Sequence, residues 1–148
     1  MEFGGKNPQF DVIVADPPYG VREKARKIGN KEKPPKIEDV DYIRYPEKEE
    51  YNLENTYCDL LDLAANMCII GGRVSFWYPV ILADYCEENL PKHPAMRLIF
   101  NCEQGLTRKS SRRLLTYRKI REPQIDEETE ISKTGVSNYR SVLFSTKN

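Results

Sequence analysis

The sequence predicts an α/β fold with a mostly parallel sheet that closes in an antiparallel hairpin. Three observations carry this expectation. Phe10–Ala15 is a short, β-branched, nearly unbroken apolar run, as in a parallel strand covered on both faces. One helical stripe then separates it from a second strand, forming the βαβ unit that parallel pairing requires. The two strands that follow lie too close together for a crossover helix between them, so they must pair antiparallel.

The first strand is expected to end at Asp16-Pro17-Pro18, because neither proline can donate to a ladder. Asp11 fits the start of the strand, where its charge reaches water. From Val21 to about Leu53 no regular period is visible. Arg22 to Lys36 carries seven basic side chains against two acidic ones, and Gly29-Asn30 and Pro34-Pro35 interrupt it. A loop of that length reads either as a functional lid over the end of the first strand or as a solvated insert.

Tyr57, Leu60, Leu61, Ala64, Met67 and Cys68 then recur at helical spacing, an apolar stripe on one face. Asn52 or Asn55 could cap this helix, Glu54 and Asp59 suit its first turns, and Gly71-Gly72 is expected to stop it. Arg73–Pro79 reads as the second strand, with Trp77 expected in the core. Leu82–Leu90 reads as a second short helix ended by Pro91. Arg97–Glu103 and Ser111–Ile120 are the third and fourth strands. After Pro123 the chain turns polar, and Val142-Leu143-Phe144 is a candidate last strand or docking segment. The expected division is therefore a catalytic-type sheet over 1–122 and a tail over 123–148.

Composition narrows the partners less than charge distribution does. The 148 residues suit one domain, and 23 basic side chains balance 23 acidic ones. Basic blocks at Arg22–Lys36 and Leu106–Arg121 alternate with acidic ones at Glu38–Asp62 and Asp126–Glu130. The second basic block holds seven cations and no acid. Two basic blocks on one side of a sheet would suit a phosphate backbone; alternatively, the blocks neutralise one another on the surface. Arg22, Lys24, Arg26, Lys27, Arg108, Lys109, Arg112 and Arg113 are the candidate RNA-binding cations. Cys58, Cys68, Cys86 and Cys102 form no Cys-x-x-Cys pair, and His93 is the sole histidine, so a structural zinc site is not expected. Reduced thiols, no apolar run of membrane-spanning length and a polar N-terminus fit a cytoplasmic protein.

The chemistry concentrates at Asp16-Pro17-Pro18-Tyr19-Gly20. An exocyclic amine on a purine shares its lone pair with the ring and is a weak nucleophile. Two acceptors aimed at its N–H groups would favour a pyramidal nitrogen with a freed lone pair. Asp16 offers a carboxylate for one, and Pro17 a carbonyl for the other; the Pro17-Pro18 pair holds that carbonyl through fixed φ angles. The Tyr19 ring can stack on the base, an interaction of about 1–3 kcal/mol. A carboxylate here also stabilises the cationic nitrogen of the transition state and can accept its proton. Methylation of such an amine needs these groups, so Asp16, Pro17, Pro18 and Tyr19 are the candidate catalytic residues, with Asp16 nearest the donor methyl.

Phe10–Glu23 resembles motif IV of class I amino-methyltransferases. With Asn101-Cys102-Glu103-Gln104 and Ser111-Arg112-Arg113-Leu114-Leu115, it is similar more narrowly to the tRNA guanosine N2-methyltransferases acting at position ten of tRNA. The resemblance covers roughly Phe10 to Arg121. It implies the C-terminal half of a Rossmann-like methyltransferase sheet, S-adenosylmethionine as donor and a tRNA guanine 2-amino group as acceptor. It further implies an N-terminal THUMP-type RNA-binding region and, in eukaryotes, a small zinc-binding activator subunit. No glycine-rich turn follows an early strand, so the donor-binding half is expected to lie outside this chain, and the isolated chain to be inactive. Phe10–Ala15 would then have an open edge and self-associate. DNA adenine-N6 and protein glutamine methyltransferases share the Asp-Pro-Pro-Tyr motif and remain alternatives. So does a truncated, non-catalytic product that binds RNA or a partner.

Overall fold

The computed structural model describes residues 9–18, 26–28, 48–50 and 53–131, with 26–28 and 48–50 described as backbone alone. The order of elements is β1 (Phe10–Ala15), β2 (Arg26–Ile28), β3 (Lys48–Glu50), α1 (Leu53–Met67), β4 (Cys68–Ile81), β5 (Met96–Gly105) and β6 (Ser110–Lys119). A four-stranded sheet runs β1-β4-β6-β5, and β2 and β3 form a separate antiparallel ribbon. No described helix is long and apolar enough to cross a membrane.

The α/β class holds, and β1 pairs parallel with β4 as the βαβ reading requires. Only one of the three adjacent pairings is parallel, however, so the sheet is mixed rather than mostly parallel. The reason is topological: β6 inserts between β4 and β5 and runs against both, which converts two pairings at once. β1, β4 and β5 all point the same way, and β6 alone is reversed.

Alternation in β4 sorts its side chains onto two faces. Val74, Phe76, Tyr78 and Val80 are buried beneath α1, which contributes Tyr57, Leu61, Ala64 and Ala65. Leu115 and Tyr117 of β6 complete this layer opposite Phe76 and Val74. The rings of Phe76 and Tyr117 stack at 5.8 Å, and Tyr57 meets Tyr78 edge-on at 4.8 Å. Burial pushes the Tyr117 phenol upward, and its hydroxyl donates to the Pro91 carbonyl at 2.7 Å. A buried Lys119 ammonium is satisfied by the Cys68 carbonyl at 2.9 Å and by Glu122 at 2.7 Å.

Four local expectations need correction. The segment from Leu82 is a turn and a short 3-10 turn at Glu87–Asn89, not an α-helix. Leu82, Ala83 and Cys86 are exposed and Leu90 is buried, so its apolar residues form no covered helical face. The stretch read as patternless contains β2 and β3, a ribbon too short to leave a period. Asn55 lies inside α1 and cannot cap it, while Asn52 falls outside the described residues. Finally, α1 passes into β4 at Met67–Cys68, four residues before the glycines. Gly71 takes φ +86°, and a Cβ added to Gly72 would lie 2.8 Å from the Ile69 carbonyl of its own strand and 3.1 Å from the Asp11 carbonyl of β1. Gly72 thus serves the β1–β4 junction, where the register shifts between Phe10 and Val12.

The described part of the tail lies against α1. Thr129 donates its backbone N–H to Asp62 at 2.7 Å, Lys92 and Glu130 exchange a bridge, and Ile131 packs on the core. Val142–Phe144 falls outside the described residues.

Candidate active site

β1 carries the motif to one end of the sheet. Its last ladder partner pair is Ala15 with Phe76, so Asp16 leaves the strand level with Trp77. Asp16 is exposed, Pro17 buried and Pro18 half-buried. The carboxylate therefore faces solvent while the proline behind it is wedged into the fold, which anchors the chain at this point. Tyr19, Arg22 and Lys24 fall outside the described residues. For Arg26 and Lys27 the backbone alone is described; the β2–β3 register sets them opposite Glu50 and Glu49.

β1 was expected to be covered on both faces, and it is not. Ile13 and Ala15 pack toward the core, but Val12 is 56% and Val14 76% exposed. β1 is also an edge strand. The opposite face of the sheet is shared by Val12, Val14, Ser75, Trp77, Thr116 and Phe100; Val12, Val14 and Phe100 are exposed, Ser75 and Trp77 half-buried and Thr116 buried. Ser75 and Thr116 answer each other there across β4 and β6, with their hydroxyls 2.7 Å apart.

The same end of the sheet gathers the two downstream stretches. Asn101-Cys102-Glu103-Gln104 on β5 lies opposite Leu115-Leu114-Arg113-Arg112 on β6, residue for residue. Arg112 and Arg113 project to opposite faces. Arg113 sits 3.8 Å over the Tyr85 ring, donates to Asn101 Oδ1 at 3.2 Å and approaches Glu103 at 3.7 Å. Asn101 in turn donates to the Tyr85 hydroxyl at 2.9 Å, closing the circuit. Arg112 sits 4.0 Å over Trp77 and donates Nε–H to Gln104 Oε1 at 2.6 Å. Trp77 is thus half-buried under a cation rather than a plain core residue.

The β5–β6 turn presents two more candidates. Thr107 Oγ1 accepts from the backbone N–H of Lys109 and Ser110, at 3.2 and 3.1 Å, and the Leu106 and Thr107 N–H groups donate to the Ser110 carbonyl. This turn is tightly tied, and Arg108 and Lys109 stand exposed on it. Sequence reasoning missed Tyr85 and Gln104 as supports. Counting outward from the turn along both strands would have placed Gln104 against Arg112; nothing local marks Tyr85.

With this arrangement in view, the comparisons with known proteins become specific. The chain is 37% identical over 147 residues to "tRNA (guanine(10)-N(2))-methyltransferase TRMT11" of Xenopus laevis, covering 95% of this chain and 31% of the relative. The Mus musculus protein of that name is 43% identical over 118 residues, 79% of this chain and 26% of the relative. That of Dictyostelium discoideum is 45% identical over 118 residues, covering 77% and 23% respectively. The chain is a relative of these tRNA guanine-10 N2-methyltransferases. It spans between about a quarter and a third of the length of the curated relatives it matches. No family model matches it, and no solved structure does. The matched span in the Xenopus comparison takes in nearly the whole chain, and so the Asp16 motif and the paired β5–β6 stretches belong to one homologous unit.

Proposed function

We propose that this chain is the acceptor-site part of a class I, S-adenosylmethionine-dependent methyltransferase acting on the 2-amino group of a guanosine in tRNA. The observation that carries the reading is Asp16-Pro17-Pro18 at the carboxyl end of β1, parallel to β4, in a chain related to enzymes named for that reaction. Ligands of open α/β sheets bind at that end of the strands. The order β1-β4-β6-β5 with β6 alone reversed supports a partial Rossmann-like sheet.

In this reading Asp16 accepts one amine N–H and later its proton, the Pro17 carbonyl accepts the other, and Tyr19 stacks on the guanine. Holding the amine in line with the incoming methyl group is the remaining contribution of these residues. S-adenosylmethionine supplies that methyl as an electrophilic sulfonium. The described residues do not fit the donor by themselves: neither glycine with a crowded or unusual backbone lies at the motif end, and Asp16 is the one charged group where β1 stops. Because the sequence has no glycine-rich turn after an early strand, the donor-binding half is assigned in this reading to residues outside this chain, with the tRNA and a small zinc-binding activator as partners in the cytoplasm.

Nucleoside mass spectrometry of tRNA tests the reading. Cells whose gene carries Asp16→Ala should lose N2-methylguanosine from the substrate tRNA, while the protein is still produced at normal level. Undiminished methylguanosine would overturn the assignment. Micromolar binding of S-adenosylmethionine to residues 1–148 by calorimetry would overturn the incomplete donor site and leave the reaction standing.

A further inference from the structure

Arg112 and Arg113 are neighbours in sequence with different fates in the fold. Arg113 is 15% exposed and spends its guanidinium on Tyr85, Asn101 and Glu103. Arg112 is fixed at two points that leave its outer edge open. Trp77 lies flat beneath it, and Gln104 takes the Nε–H. Both Nη groups have no hydrogen bond or ion pair among the described residues. An arginine fixed in this way loses little freedom on binding, and its planar Nη fork matches the two oxygens of a phosphate.

We propose that Arg112, stacked on Trp77, is a phosphate-binding site for an RNA strand, with Arg113 as an internal brace. Three further observations lead to a phosphodiester. Arg108 and Lys109 stand exposed on the rigid turn at the same end of the hairpin, and among the described residues neither has an ion pair. Glu103, the nearest acid on β5, is engaged by Arg113 on the other face. β6 lies two strands from β1, roughly 10 Å across the sheet, about the reach between a base and phosphates near it in the same strand. A base held at Asp16 would then keep its strand within reach of Arg112. The RNA character of the ligand rests on the reading proposed above, whereas the phosphate site does not.

Trp77 is the one tryptophan of the chain, so its fluorescence reports on this stack directly. Two titrations of residues 1–148 separate the site from the substrate. In the first, inorganic tripolyphosphate should change Trp77 emission saturably, and Arg112→Gln should abolish the response. Arg113→Gln should retain it. In the second, a tRNA transcript is titrated by anisotropy between 50 and 200 mM salt. Arg112→Gln should weaken binding about tenfold and lower the salt slope by about 0.7–0.9, the share of one phosphate contact. Arg112→Lys should restore the slope but not the full affinity, because a lysine keeps charge without the fork. Arg112→Gln that melts as the wild type yet leaves both titrations unchanged would overturn the site. A tripolyphosphate response lost in Arg112→Gln, with tRNA binding absent or insensitive to Arg112, would keep the phosphate site and overturn its RNA ligand.

Discussion

The two faces of the four-stranded sheet come from the same strands, one residue apart, and share almost nothing else. On one, Val74, Phe76, Leu115 and Tyr117 are buried under α1, and the segment through Ile131 lies against the outside of that helix. On the other, Val14 is 76% exposed and Phe100 55%. The difference teaches that the core of the described residues lies on one side of the sheet, the side that α1 covers.

The largest effects should fall on the covered face. Leu61→Ala empties a fully buried position and is expected to cost about 2–5 kcal/mol in urea unfolding. Val14→Ala, on the open face, should stay within about 0.5 kcal/mol. Equal losses would break the contrast. Next in size is association: the unpaired edge of β1, beside Val12 and Val14, invites strand pairing with a second copy. Sedimentation velocity should show concentration-dependent self-association that Val14→Lys reduces several-fold; a wild-type chain that stays monomeric would remove the edge from consideration. The smallest effect concerns the tail. Paired hydrogen bonds from Arg121, at 2.8 and 2.9 Å, hold the Glu127 carboxyl at about 2 against an ordinary 4.5. The folded state therefore binds fewer protons than the unfolded one between those values. Its contribution is full above pH 4.5 and is lost as pH falls toward 2. Glu127→Gln should flatten that limb of an acid melt and remove the same contribution at pH 7, a small one because the pair is exposed to solvent.

Much of this was legible in the residues. The apolar run of β1, the stripe of α1 and the short β5–β6 connection led directly to the parallel pair and the antiparallel one. Leu82–Leu90 misled because its apolar residues, most of them exposed in irregular backbone, satisfy no period, and apolar content alone was taken for a helix. The insertion of β6 between β4 and β5 was invisible, since strand order depends on which edge is free and not on local pattern. The Asp16 motif was readable because two prolines after an apolar run have few structural meanings. What could not be read was the separation of Arg112 from Arg113. Both belong to one basic block, and only the alternation of a strand, together with Trp77 on one side and Tyr85 on the other, distinguishes them.

Gly72 sets a length scale for the whole arrangement. With no side chain, it lets the carbonyl of Asp11 come close at the point where the β1–β4 register shifts. The strand advances about 3.3 Å per residue, and a slip that kept the same face inward would need two residues. Asp16 would then be displaced by about 7 Å, more than twice the length of a hydrogen bond. A glycine at one end of the ladder thus works as the zero mark of a ruler, and the carboxylate five residues along from Asp11 is read off against it.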